Sequence, residues 1–254
     1  LALAPSISYP LWPLAYLEIV PSVTYLMTTQ WIEEYEGHKP KQTKDAYELG
    51  LEISTILERV FDRERGTIKS AKHKLRPTLS YALRPYPEQG KLSPWFEPID
   101  TLGRLNEISL SLENYLDVRR EDKKGRRSYA QIANLTITQA YGLDEATDDM
   151  PPGVERKPYA PLGATLSLTP YPAFDLSARA NYDHYEQHLS SGSLGLDLLV
   201  KRGRARNDSY SIDYVYSREN TKQLNYEIAV HLFHGLSVGA KGMRDLKEKH
   251  EIED

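Results

Sequence analysis

Alternation with a period of two runs down nearly the whole chain, in stretches too long for an ordinary sheet. Tyr47, Leu49, Leu51, Ile53, Thr55 and Leu57 alternate with Glu48, Gly50, Glu52, Ser54 and Ile56. Leu75, Pro77, Leu79, Tyr81 and Leu83 alternate with Arg76, Thr78, Ser80 and, at the ends, Lys74 and Arg84. The same pattern recurs around Leu110, Leu135, Leu166, Leu176, Leu196, Ile212 and Ile228. Successive side chains of a strand point to opposite faces, so each stretch builds one apolar and one polar face. About twelve strands are expected. The segments near residues 5–10, 17–31 and 236–241 fit the pattern less cleanly. Residues 42–65 contain good helix formers, but a helix would scatter Leu49, Leu51 and Ile53 around its circumference.

Several stretches alternate for ten or more residues. Strands of globular sheets most often have roughly 5–6 residues, whereas a tilted membrane-spanning strand needs about 9–11. Aromatic composition leans the same way. The chain has 18 tyrosines against 4 phenylalanines and 3 tryptophans. A ring with one wet and one apolar end suits a membrane interface better than a dry core. No apolar run is long enough for a transmembrane helix. A barrel escapes that test, because its lumen face is polar. Mid-strand charges at Glu52, Arg76, Arg179, Asp197, Asp213 and Glu227 suit a hydrated lumen, or the wet face of a soluble sandwich. The fold class expected is all-β: an antiparallel transmembrane β-barrel.

Charge and cysteine content remove other classes. Lys and Arg number 32 against 36 Asp and Glu, a net charge of −4, which excludes a whole-chain nucleic-acid binder. The absence of cysteine removes thiolate chemistry and cysteine-based zinc sites. The chain opens at Leu1 with no signal-peptide pattern. Connections alternate in length: residues 11–15 short, 32–44 long, 62–69 medium, 85–104 long, 119–127 medium, 142–160 long and 170–173 tight. Outer-membrane barrels separate long extracellular loops from short periplasmic turns in this way.

No P-loop, GxGxxG, GxSxG or HExxH motif is present. His184 and His188 have a spacing that would pair them on a helix, but they straddle an expected turn, as ordinary loop histidines do. His231 and His234 read likewise. Glu48 and Glu52 share one strand face roughly 13 Å apart, too far for a glycosidase pair. They suit a hydrated lumen, as do Arg76, Ser109, Thr136, Arg179, Asp213 and Glu227. Two basic clusters lie in turns at one expected end: Arg119, Arg120, Lys123, Lys124, Arg126 and Arg127, then Lys201, Arg202, Arg204 and Arg206. Such clusters either meet anionic lipid phosphates or simply keep a turn solvated. The long loop 85–104 carries Trp95, Phe96, Ile99 and Leu102, more apolar content than disorder favours. It is expected to fold over a barrel mouth, with Trp95 and Phe96 packed and Asp100 or Arg104 bonding inside the loop.

Three segments in order carry a family resemblance: KHKLRPTLSYALRPY (residues 72–86), WFEPIDTLGRLNEISLSLENYLDVR (95–119) and YAQIANLTITQAYGL (129–143). This region resembles the β-barrel of LptD, the lipopolysaccharide-assembly outer-membrane protein. The matching residues are Lys72, His73, Pro77, Tyr81, Phe96, Asp100, Gly103, Asn106, Leu112, Asn114, Leu116, Gln139 and Tyr141. PSISYPLWP (5–13) and residues 158–182 fit more loosely.

The resemblance implies a larger barrel preceded by a periplasmic jellyroll. Residues 1–254 then form a partial outer-membrane β-barrel domain without that jellyroll, and its two edge strands would need further strands to be stable. The implied function is transport without covalent chemistry or cofactor: lipopolysaccharide is inserted into the outer leaflet of a Gram-negative outer membrane, its sugars passing a hydrated lumen. The implied partners are lipopolysaccharide, the lipid bilayer, a lipoprotein plug within the barrel and the periplasmic lipopolysaccharide bridge. No nucleic acid is expected. The alternatives are a general outer-membrane channel or porin, a soluble glycan-binding sandwich and, last, a barrel lipase or protease.

Overall fold

The computed structural model describes residues 2–31, 41–62, 66–85, 103–148, 153–202, 207–218, 220–233 and 235–247. Their strands are β1 (Ala2–Leu3), β2 (Ser6–Ser8), β3 (Leu11–Leu14), β4 (Leu17–Trp31), β5 (Lys41–Thr55), β6 (Leu57–Phe61), β7 (Ile68–Arg84), β8 (Leu105–Glu121), β9 (Arg127–Gly142), β10 (Leu162–Tyr171), β11 (Phe174–Asp183), β12 (His188–Lys201), β13 (Asn207–Ser217), β14 (Thr221–His231) and β15 (Ser237–Asp245). One short helix, α1 (Leu143–Thr147), follows β9.

Strand order follows the chain from β4 through β5, β7 and β8 to β15, with β1, β2 and β3 all paired to β4 and β6 paired to β7. The expected twelve strands are therefore twelve places in one order, one filled by the three pieces β1, β2 and β3 and one by the two pieces β5 and β6. Proline explains the first fragmentation. Pro5 and Pro10 cannot donate to a ladder, so the strand opposite β4 breaks at each. The amides of Tyr25 and Tyr9 carry the pairing across the breaks, donating to the carbonyls of Pro5 and Pro21 at 3.0 and 3.1 Å.

Several boundaries differ from expectation. Residues 41–44, 68–69 and 119–121, expected as connections, are strand in β5, β7 and β8, so Arg119 and Arg120 lie in a strand rather than a turn. Residues 11–14 are strand rather than connection, and Ala15 and Tyr16 alone make the turn. β15 continues past Lys241 to Asp245, which pairs with Gln223. The 142–160 connection carries α1 and a Tyr141–Tyr159 bridge.

The described chain divides into two compact units, one of Leu1–Ile56, Pro77–Leu110 and Ala140–Ala160, the other of Leu57–Arg76, Ser111–Gln139 and Pro161–Asp254. In the first, apolar residues stand opposite one another: Ile19 with Ile53, Val23 with Leu49, Tyr25 with Tyr47, and Leu51 with Tyr81. The second continues the rule. Leu176 pairs with Leu196, Leu196 with Ile212, and Ile212 with Tyr226.

These apolar rows are not a buried core. Among described hydrophobic residues only Ala46 and Val118 are buried, whereas Leu110 is 52% exposed and Ile212 46%. An apolar face this extensive and this exposed does not suit water, which argues against a soluble sandwich. Strand length agrees. β4 and β5 have 15 residues each and β7 and β8 have 17, beyond the roughly 9–11 that cross a membrane.

Candidate functional site: the polar sheet face

Between the apolar rows lie polar ones, and the register assembles side chains far apart in sequence. In the first unit Glu48 and Glu52 share a face of β5, with Glu52 opposite Ser80. Arg84 closes on Glu48 at 2.7 Å and donates to the Gly103 carbonyl at 3.2 Å, so one guanidinium joins β5, β7 and the approach to β8. Ser109 lies on β8 with the parity of Glu113 and Asp117, which are polar-face residues.

In the second unit, two lysines two residues apart on β7 reach opposite ways. Lys72 meets Glu58 of β6 at 2.5 Å, and Lys74 meets Asp117 of β8 at 2.8 Å. The Lys74 ammonium also lies 5.6 Å from the ring centroid of Tyr115, whose hydroxyl donates to Glu113 at 2.7 Å. Arg76 has the same parity as Lys74, and it too has an interaction partner.

Three rows cross the later strands. Thr136, Thr165, Arg179, Ser193 and Val215 form one. Ser177, Gly195, Asp213 and Asn225 form the next. Asp175, Asp197, Ser211, Glu227 and Lys241 form the third. Asp175 and Asp197 stand directly opposite, a destabilising like-charge pair, and Thr169 donates to Asp175 at 2.7 Å. A crevice of about 520 Å³ opens among Ser211, Asp213, Asn225, Glu227 and Lys241. The sheet thus brings Thr136 and Arg179 into one row and Asp213 and Glu227 into neighbouring rows. Glu48 and Glu52 belong to the other unit.

Of the ion-pair partners on this face, Glu58, Lys74 and Asp117 were not singled out by sequence reasoning, and Lys72 was marked only by the family resemblance. Lys72, Lys74 and Arg76 at alternate positions signal a basic stripe. The carboxylates that meet it depend on register.

Arg104 bonds outside its own loop. Its guanidinium holds Asp144 at 2.7 Å and Asp148 at 2.6 Å, at the two ends of α1. Asn106 donates to Asp144 at 2.9 Å, and Tyr81 donates to Asn106 at 3.0 Å. Behind α1, Arg156 donates to the Ala146 carbonyl at 2.8 Å, and the Tyr141 and Tyr159 rings meet edge-on at 4.8 Å. Trp95, Phe96 and Asp100 lie outside the described residues, as do Arg204, Arg206 and His234.

The histidines diverge. His184 pairs with Gln139 and His188 with Glu186, each at 2.6 Å. No group of three or more metal-ligating side chains occurs among the described residues.

A family model described as LptD, LPS transport system D, matches residues 1–240. No individual curated protein matched the chain.

Proposed function

This chain belongs to the LptD family, LPS transport system D, and on that premise we propose that the polar sheet face is the lumen wall along which the sugar and phosphate part of lipopolysaccharide moves. It is a β-barrel-family protein of the Gram-negative outer membrane that transports and assembles lipopolysaccharide, and it is not an enzyme. The path residues are Glu48, Glu52, Arg76, Ser109, Thr136, Arg179, Asp213 and Glu227. The observation that carries this reading is the segregation of faces: ion pairs and hydroxyl rows on one, exposed Leu, Ile and Tyr on the other. Transport needs many weak contacts rather than one tight one. Paired cations such as Lys72, Lys74 and Arg84 offer that, because each is already neutralised and holds a passing phosphate only weakly.

Arg104, with Asp144 and Asp148, anchors the loops at one end of the strands. Trp95, Phe96 and Asp100 belong to the same lid in this reading. A lipoprotein plug inside the barrel and the periplasmic lipopolysaccharide bridge are the proposed partners.

Photo-crosslinking residues placed at Asp213 and Glu227 of the full-length protein in cells test the path, with Ile212 and Ile228 as the opposite face. Lipopolysaccharide adducts are expected at the first pair and phospholipid adducts at the second. The same adducts at all four positions would overturn the reading.

A further inference from the structure

The turn between β8 and β9 is built to present cations. Asp122 organises it: its Oδ1 accepts the amides of Lys124 at 2.8 Å and Arg126 at 2.9 Å, and its Oδ2 holds the Arg126 Nε at 2.7 Å. Gly125 closes the turn at φ +75°, a backbone conformation that glycine adopts without cost. Glu121 is engaged with Arg127 at 3.4 Å. Both carboxylates of the turn are therefore occupied. Among the described residues, Arg120, Lys123 and Lys124 have no carboxylate partner, and the two lysines project exposed.

Aromatic rings flank this excess charge. Arg120 donates to the Pro170 carbonyl and lies 5.7 Å from the Tyr171 ring centroid; Tyr171 is 63% exposed and Tyr129 is 75% exposed. Arg119, the neighbour of Arg120 in β8, has the parity of Glu113 and Asp117, so it lies on the polar face; there it lines a cavity of about 390 Å³ with Ser70, Lys72, Asp117 and Gln131 and does not join this cluster. Lys201, exposed at the end of β12, adds charge at the same end of the sheet.

Unneutralised cations over exposed tyrosines, next to an apolar sheet face, match the interface between headgroups and acyl chains. We infer that the β8–β9 turn is a docking surface for anionic glycerophospholipid headgroups. Arg120, Lys123 and Lys124 take the phosphate, and Tyr129 and Tyr171 rest at the level of the glycerol. The source is phospholipid rather than lipopolysaccharide because short turns mark the periplasmic side of such barrels, where the leaflet is phospholipid.

The full-length protein in vesicles carrying spin-labelled phosphatidylglycerol or phosphatidylethanolamine tests this. A salt-sensitive preference for phosphatidylglycerol in the motionally restricted shell is expected. Lys123→Gln with Lys124→Gln should weaken it roughly thirtyfold, since each basic residue near a surface contributes about 1 kcal/mol and about 1.4 kcal/mol is tenfold. Lys123→Arg with Lys124→Arg should retain it, and Lys222→Gln, at the other end of β14, should leave it unchanged. A preference that ignores salt in the unaltered protein overturns the inference, as does one that survives the double Gln variant. Displacement of the label by lipopolysaccharide but not by unlabelled phosphatidylglycerol overturns it as well.

Discussion

Asp122 shows how one side chain sets local geometry and its pH range. The Arg126 backbone amide first, then the Arg126 side chain, hold its carboxyl below the usual range, with the Lys124 amide adding to them. A carboxylate whose folded pKa is depressed stabilises most above its unfolded value, about 3.9, and loses that contribution as pH falls through the lower folded value. The carboxyl carbon of Asp122 should therefore titrate below about 3.9 by NMR, and Asp122→Asn should speed exchange of the Lys124 and Arg126 amides at neutral pH. On the apolar face, Ile212→Arg should cost about 2–4 kcal/mol if Ile212 lies near the bilayer midplane, as read from refolding into vesicles. Asp213→Arg, one position along on the polar face, should cost far less. A different residue-scale constraint sits at Gly242. Any Cβ there would meet the Tyr226 ring, so Gly242→Ala should displace that ring and alter its fluorescence.

Long alternating elements were the most legible part of the chain. β7, β10, β11 and β13 stand where the pattern put them, because period 2 is a property of each strand alone. Breaks and caps were less legible. β1, β2 and β3 look irregular in sequence because Pro5 and Pro10 interrupt them, and only pairing with β4 shows that they occupy one strand position. α1 was missed because five residues hold too little periodicity to read. Its place is set by Arg104, which bonds both of its ends. Each of those pairs is partly exposed and worth about 0.2–1 kcal/mol. Arg104→Ala should therefore leave the melting temperature nearly unchanged while hydrogen exchange across α1 accelerates. If the loops form a lid, the same variant should admit large antibiotics to cells at normal protein levels.

For the whole molecule, the separation of the two faces is the property under test. Single cysteines at Leu49, Leu110, Leu166 and Ile228 should resist a water-soluble maleimide in membranes, and those at Glu52, Ser109, Thr136 and Glu227 should react. Equal labelling would refute the membrane reading of the apolar face. Alternation, strand length and tyrosine content determined that there would be two faces, one apolar and one polar, because each depends only on residues near in sequence. The ordered segments between residues 72 and 143 likewise carried the family. Tertiary structure decided which charges meet. Lys74 finds Asp117 and Arg84 finds Glu48 only because neighbouring strands are held at particular offsets, and Arg104 finds Asp148 because the connection after β9 folds back as α1. A slip of one residue would move every side chain of a strand to the other face, and that offset is fixed by turns and by rows of paired side chains rather than by any one segment.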